Sequence, residues 1–315
     1  MGATTYVNLI IPEVWNKYIP AKIPEVAKLL GSAAVQRDEN PPFKSGGIYN
    51  YRPFVKEFTS SLEIPSPATN LTINSLSTDK DTLVCLHRAI AIGEESNAIR
   101  RAGESVLQDF LNQQTEYIAK QVEDRMLYVL KGVFESALAG THQLDASSTT
   151  IDVQKIFNAK YKIGDNSDAL TTIVMHSKVF QDLALNGLVQ YVNASDLGKN
   201  IAVTGRIPTI AGMQIVVSDR MTKDSNGVYH TYLLGENSLY YGLAYFNVTV
   251  GHDNLLAGGT DYAVFNIDFA VHVPGVKFAL SGVTNPTDAQ LQLGTTWEKV
   301  ADHDKDIHVV EILTA

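Results

Sequence analysis

The residues with the strongest claim to chemistry lie near the end of the sequence. There ADHDKDIH brings Asp302, His303, Asp304, Asp306 and His308 into one short stretch. Zinc and hard divalent cations are held by such carboxylates and imidazoles. The stretch lacks the glycine of a calcium loop and the His-x-x-x-His spacing that sets two imidazoles on one helix face. It runs directly into the apolar IHVVEIL, so it reads as a solvated turn before a strand. His176-Ser177 suggests half of a hydrolase dyad, but no G-x-S-x-G elbow exists to present a nucleophile. Cys85, inside LVCL, reads as a small buried hydrophobe. Tyr232, Tyr240, Tyr241, Tyr245 and Phe246 offer ring faces to a ligand, yet such residues more often fill cores and interfaces. Neither a phosphate-binding G-x-x-x-x-G-K-[ST] loop nor a G-x-G-x-x-G turn occurs. The reading therefore assigns no catalytic, cofactor-binding or metal-binding residue, and no cofactor.

A chain of 315 residues has room for one large domain or two smaller ones. Its 45% hydrophobic and 19% charged content is that of a globular chain. A formal charge of −9, with no basic run, argues against general nucleic-acid binding, which needs clustered Lys and Arg. With one cysteine no internal disulfide can form, which suits a reducing compartment. The first positive side chain is Lys17, so no signal peptide is expected, and Tyr6 spoils a myristoylation start. The apolar runs are short and interrupted, so no membrane span is expected. The three Asn-x-Ser/Thr matches, at Asn70, Asn193 and Asn247, read as chance.

The elements that would position these residues follow from periodicity. Pro12, Pro20 and Pro24 are expected to break residues 1–40 into short apolar pieces, an arm that packs on something else. Alternation at Tyr49, Tyr51 and Val55, and again at Leu71, Ile73 and Leu83, predicts two long strands separated by a segment rich in Ser, Pro and Thr. Such an excursion cannot bury enough surface to stand alone. From Glu104 to Ala139 the apolar spacing becomes three and four, which predicts a helix on the order of 50 Å long, capped at Gly140. Shorter helices are expected at 151–161 and about 178–186, with a strand through Ile173-Val174-Met175 between them.

GRIPTIAGMQIVVSD pinches two apolar runs around Ala211-Gly212, and Asn226-Gly227 signals a second hairpin. Together they predict an antiparallel meander reaching to about residue 250. Ala263, Phe265, Ile267, Phe269, Val271 and Val273 then share one strand face, with Asn266, Asp268 and His272 opposite. IHVVEIL supplies a last strand. There is no internal repeat.

The order of these parts resembles the major capsid protein of tailed bacteriophages, an α+β Hong Kong 97-type fold. LTTIVMHSKVFQDL, IPTIAGMQIVVSD, GVYHTYLLGENSLYYG, HVPGVKF and TTWEKV…IHVVEI carry the likeness. The resemblance implies an N-terminal arm at 1–40, an extended loop at 41–86 that reaches over a neighbour, and a peripheral domain with a spine helix at 87–165. It further implies an axial domain at 166–261 and peripheral return strands at 262–315. Inter-subunit contacts are expected at Trp15, Tyr49, Tyr51, Phe54, Lys56 and Phe58. Implied partners are other copies of the chain in pentamers and hexamers, portal and scaffolding proteins, and double-stranded DNA as weakly held cargo. Such a protein assembles in the host bacterial cytoplasm and ends in the virion. Some family members crosslink through a lysine and an asparagine; Lys44 and Lys56 lie in the loop, but no motif commits either. An encapsulin-like nanocompartment shell, and a soluble enzyme or carbohydrate-binding module, are the alternatives.

Overall fold

The computed structural model describes residues 12–57, 60–65, 70–95, 106–193, 206–221, 223–254 and 259–315. A five-stranded sheet is ordered β1-β10-β11-β3-β2, from β1 (Val35–Asp38), β2 (Gly47–Val55), β3 (Thr78–Glu95), β10 (Leu239–Asp253) and β11 (Thr260–His272). The strict alternation of β11 decides its faces. Ala263, Phe265, Ile267, Phe269 and Val271 are buried in the main core with Val84 and Leu86 of β3. The opposite face is not simply solvated, because Ala270 joins a small cluster with Phe43, Leu83, Cys85 and Tyr240.

Two helices enter the core on the first of these faces. Within the arm expected to be broken by prolines, whose residues 1–11 lie outside the described residues, Pro12–Val26 is instead one helix, α1. Pro20 and Pro24 are four residues apart, so the donors they remove fall on one side of the helix. Ile19 and Ile23, one residue before each, are fully buried; at roughly 1.5–3 kcal/mol each, that burial offsets the lost bonds. The Asn16 amide also donates to Asn247 Oδ1 (3.2 Å) and accepts from Val248 N (2.8 Å), so α1 packs on its own chain.

The long helix α2 (Val106–Glu135) has 30 residues, about 45 Å at 1.5 Å each. Ile118, Val122, Met126, Val129, Val133 and Phe134 form its buried stripe. It ends four residues earlier than the spacing predicts. Leu138 N bonds Val133 O (3.0 Å) and His142 N bonds Leu138 O (2.9 Å), so the chain turns without a left-handed Gly140. Glu123, buried in the stripe, accepts from Leu29 N (3.2 Å) and so ties α2 to the chain just after α1. Burial pushes its carboxyl up.

The second sheet has seven strands ordered β4-β14-β9-β5-β8-β7-β6: β4 (Gln143–Ala146), β5 (Leu170–Met175), β6 (Gln190–Asn193), β7 (Arg206–Ile210), β8 (Met213–Val217), β9 (Tyr229–Gly235) and β14 (Val309–Thr314). Helices α3 (Val153–Lys160) and α4 (Ser177–Leu185) contribute Ile156, Val179 and Leu183 to its second core cluster. The β7–β8 hairpin forms as expected. Ala211 (φ 51°) and Gly212 (φ 80°) both lie in the left-handed region, the signature of a type I′ turn.

The rest of the expected meander does not form. β8 and β9 are not neighbours, because β5 lies between them, parallel to β8 and antiparallel to β9. Ile173, Val174 and Met175 are all fully buried, so β5 is apolar on both faces and takes a central place. The Asn226-Gly227 turn is real but local: Asp224 Oδ1 accepts from Asn226 N (2.8 Å) and Val228 N (2.9 Å). After Gly235 the chain crosses to the five-stranded sheet, so β10 pairs with β11. The division expected after residue 261 falls inside β11, and β14 at the C-terminal end belongs to the seven-stranded sheet.

A two-stranded ribbon, β12 (Val276–Phe278) with β13 (Trp297–Lys299), and the short helix α5 (Asp288–Gln292) close against α2. The approach is close. A Cβ on Gly132 would stand 2.2 Å from Leu291 O.

Candidate assembly surface

β2 and β3 leave the body as an antiparallel pair that ends at Val55–Thr78, followed by Lys56 N donating to Ser77 O (2.9 Å). The two long strands expected from alternation are thus unequal. Leu71 and Ile73 lie outside β3, because pairing stops where β2 stops. Beyond that point Leu62, Ile64, Leu71, Ile73 and Leu76 are 61% to 101% exposed. Five large apolar side chains left uncovered among the described residues mark a surface meant for contact.

The root of this loop is held firmly. Asp81 of β3 and His272 of β11 are both fully buried, with His272 Nε2 2.8 Å from Asp81 Oδ1. Gly275 N donates to Asp81 Oδ2 (2.9 Å), and Arg52 Nε lies 3.9 Å from the same oxygen. β2 is irregular between Asn50 and Arg52, opposite Asp81 and Thr82, and the intervening Tyr51 ring sits 5.4 Å from His272 and 4.9 Å from Tyr240. Burial raises the Tyr51 hydroxyl pKa. Sequence reasoning placed His272 on a polar strand face but missed Asp81. The signal was an acid in register with that face, two residues before the apolar LVCL.

Of the expected contact residues, Tyr49 donates to Ser45 O (2.9 Å) and packs near Phe43 (5.6 Å). Phe54 lies under the Arg52 guanidinium (4.9 Å) and against the main core. Lys56 is exposed, 4.0 Å from Asp79. Trp15 belongs to α1, with its side chain outside the described residues, and Phe58 lies outside them altogether.

The acid- and histidine-rich stretch has a structural role here. Asp302 Oδ2 accepts from Glu57 N (2.7 Å), and His303 Nε2 meets Glu57 Oε2 (3.0 Å), so this turn grips the loop root. Asp304 pairs with Lys299 (2.5 Å), its carbonyl meets His142 Nε2 (2.9 Å), and His308 meets Asn166 (2.8 Å). Among the described residues no three metal-ligating groups converge. His176 caps α4 by accepting from Lys178 N (3.0 Å). Cys85 is fully buried, and burial pushes its thiol to about 12, so it stays protonated and unreactive. Tyr232, Tyr240 and Tyr241 are buried, leaving Tyr245 half-exposed. Among the described residues no helix is long and apolar enough to cross a membrane.

A long helix packed on a five-stranded sheet, a second sheet with its own core, and a paired-strand loop carrying uncovered apolar side chains define a shell subunit of the Hong Kong 97 type. A family description, Gp13-like, major capsid protein 13-like, matches residues 47–310, and the chain belongs to that family. A major capsid protein of Bacillus phage SPP1 is 26% identical over 99% of this chain and 98% of its own length. Among solved structures, the capsid of Ralstonia phage GP4 aligns with a TM-score of 0.59 at 9% identity, covering 89% of this chain and 87% of that one. Mycobacterium phage Adephagia aligns at 0.56 and 13% identity, covering 92% and 90%. These structural likenesses speak for the fold. The family match speaks for a structural protein of the phage capsid, and neither the nanocompartment nor the enzyme alternative has comparable support.

Proposed function

We propose that this chain builds the icosahedral head of a tailed bacteriophage by packing as pentamers and hexamers of itself. The single observation that carries the reading is the set of five uncovered apolar side chains on a loop whose root is rigid. In a shell, that loop lies over a neighbouring subunit, and contact residues at its base (Tyr49, Tyr51, Phe54, Lys56, Phe58) and in α1 (Trp15) take part. Many such contacts repeated under symmetry can each be weak. The unit centred on the seven-stranded sheet forms the axial part, and the five-stranded sheet with α2 forms the peripheral part.

Portal and scaffolding proteins are the proposed partners in assembly, which takes place in the host cytoplasm. The excess of 34 acidic over 25 basic residues suits a container that holds double-stranded DNA loosely. In this reading the chain works without catalytic residues. Electron microscopy of the purified protein with a nucleating partner tests the proposal: shells or capsomer rings are expected, and monomer alone across a wide concentration range would count against it.

A further inference from the structure

A half-open cavity of about 350 Å³ lies where α2 meets β9 and the segment after β8. Its floor is apolar, from Leu127, Tyr128, Met221 and Tyr232, and its walls carry charge of both signs. The acids are already engaged. Asp124 takes Arg220 in a two-pronged pair, and Asp224 accepts from two backbone donors of its own turn. Asp219 accepts from Ser177 and lies 3.9 Å from His176.

The cations are not matched in this way. Lys131 reaches only the neutral Gln292 Oε1 (3.3 Å), and Lys223 lies over the Tyr229 ring (4.6 Å). Among the described residues neither has a carboxylate within ion-pair distance. His230 lines the same cavity. Its Nδ1 is 2.6 Å from Glu311 Oε1, and that buried carboxylate also accepts from Gln143 Nε2 (2.5 Å).

We propose that this cavity is a carboxylate-binding site, occupied in the assembled shell by an aspartate or glutamate side chain of a second copy of the chain. The two uncompensated lysines match the anionic head, and the apolar floor matches its methylene stem. A second copy fits as the source because the chain carries more acids than bases, so every neighbour presents exposed carboxylates. The inference rests on the shell-forming reading but goes beyond it, since shells could form with this cavity empty.

The test is lysine footprinting with an amine-reactive reagent, read by mass spectrometry, on free subunits and on shells. Lys131 and Lys223 should react freely in the subunit and become protected in the shell. The charge-reversed Lys131→Glu/Lys223→Glu chain should keep its thermal midpoint yet lose most of its shell yield. The Lys131→Gln/Lys223→Gln chain should fall between the two. Shells that form while both lysines stay as reactive as in the subunit would overturn the inference and leave the assembly reading intact. Protection produced in free subunits by inorganic phosphate, and not increased by assembly, would also overturn it by naming a free anion as the occupant.

Discussion

α2 and the loop beyond Val55 make use of similar apolar residues in opposite ways. Along α2, Val122, Met126, Val129, Val133 and Phe134 are covered by two sheets and by α1. Along the loop, Leu62, Ile64, Leu71 and Ile73 are left exposed, with nothing among the described residues covering them. The helix satisfies its backbone internally, whereas the described loop residues make few bonds, such as Thr72 N to Glu63 Oε2 (3.1 Å). Folding of one chain therefore stabilises the helix but not the loop. Apolar side chains kept exposed on a rigid root are explained by a second surface that arrives later.

The contrast is sharpest in large-to-small changes. Phe134→Ala, which removes a buried ring stacked 5.7 Å from Tyr232, is expected to cost about 3–5 kcal/mol in denaturant unfolding. Asp81→Ala leaves His272 and Gly275 N buried without their acceptor and should cost about 3 kcal/mol. It should also speed protease cleavage of the loop, since its root is loosened. By comparison, Leu62→Ser or Ile73→Ser should shift subunit stability by roughly 0.5 kcal/mol or less while depressing shell yield. A loop variant as destabilising as Phe134→Ala would erase the distinction.

A smaller effect reports on the body alone. Burial pushes the His142 imidazole below its ordinary value of 6.5, so the unfolded chain binds a proton first as pH falls. The stability linked to neutral His142 is complete above about 6.5 and is lost as pH drops through the lowered folded value. Glu123 works in the opposite sense: its carboxyl is raised by burial, so its share is present below 4.5 and is lost as pH rises through the raised value. Stability measured against pH for His142→Asn should lose the first slope and keep the second. Smallest of all, Lys120→Ala removes an exposed pair with Glu116 and should cost about 0.5 kcal/mol or less.

Where one face of an element is apolar, its place could be read from the residues. The stripe of α2, the alternation of β11 and the Ala211-Gly212 reversal are all local patterns with one outcome. Pairing partners were less legible. Asn226-Gly227 makes a tight turn but not the hairpin it signals, because β5 inserts between β8 and β9, a choice made by burial on both faces of Ile173-Val174-Met175. Pro20 and Pro24 argued against a helix locally, and the burial of Ile19 and Ile23 overrode them. In the loop, alternation at Leu71 and Ile73 was real, but a strand also needs a partner, and β2 had already ended. The grip of Asp302 and His303 on Glu57 joins residues far apart in sequence and left only the misleading look of a metal cluster.

Hydrogen exchange on free subunits and on shells compares the two regions directly. Backbone amides at 60–65 and 70–77 should exchange quickly in the subunit and become protected in the shell, while those of 118–134 in α2 stay protected in both. If the loop amides were as protected as α2 in the free subunit, or gained no protection on assembly, the claim that this loop is stabilised by a neighbouring copy would be contradicted.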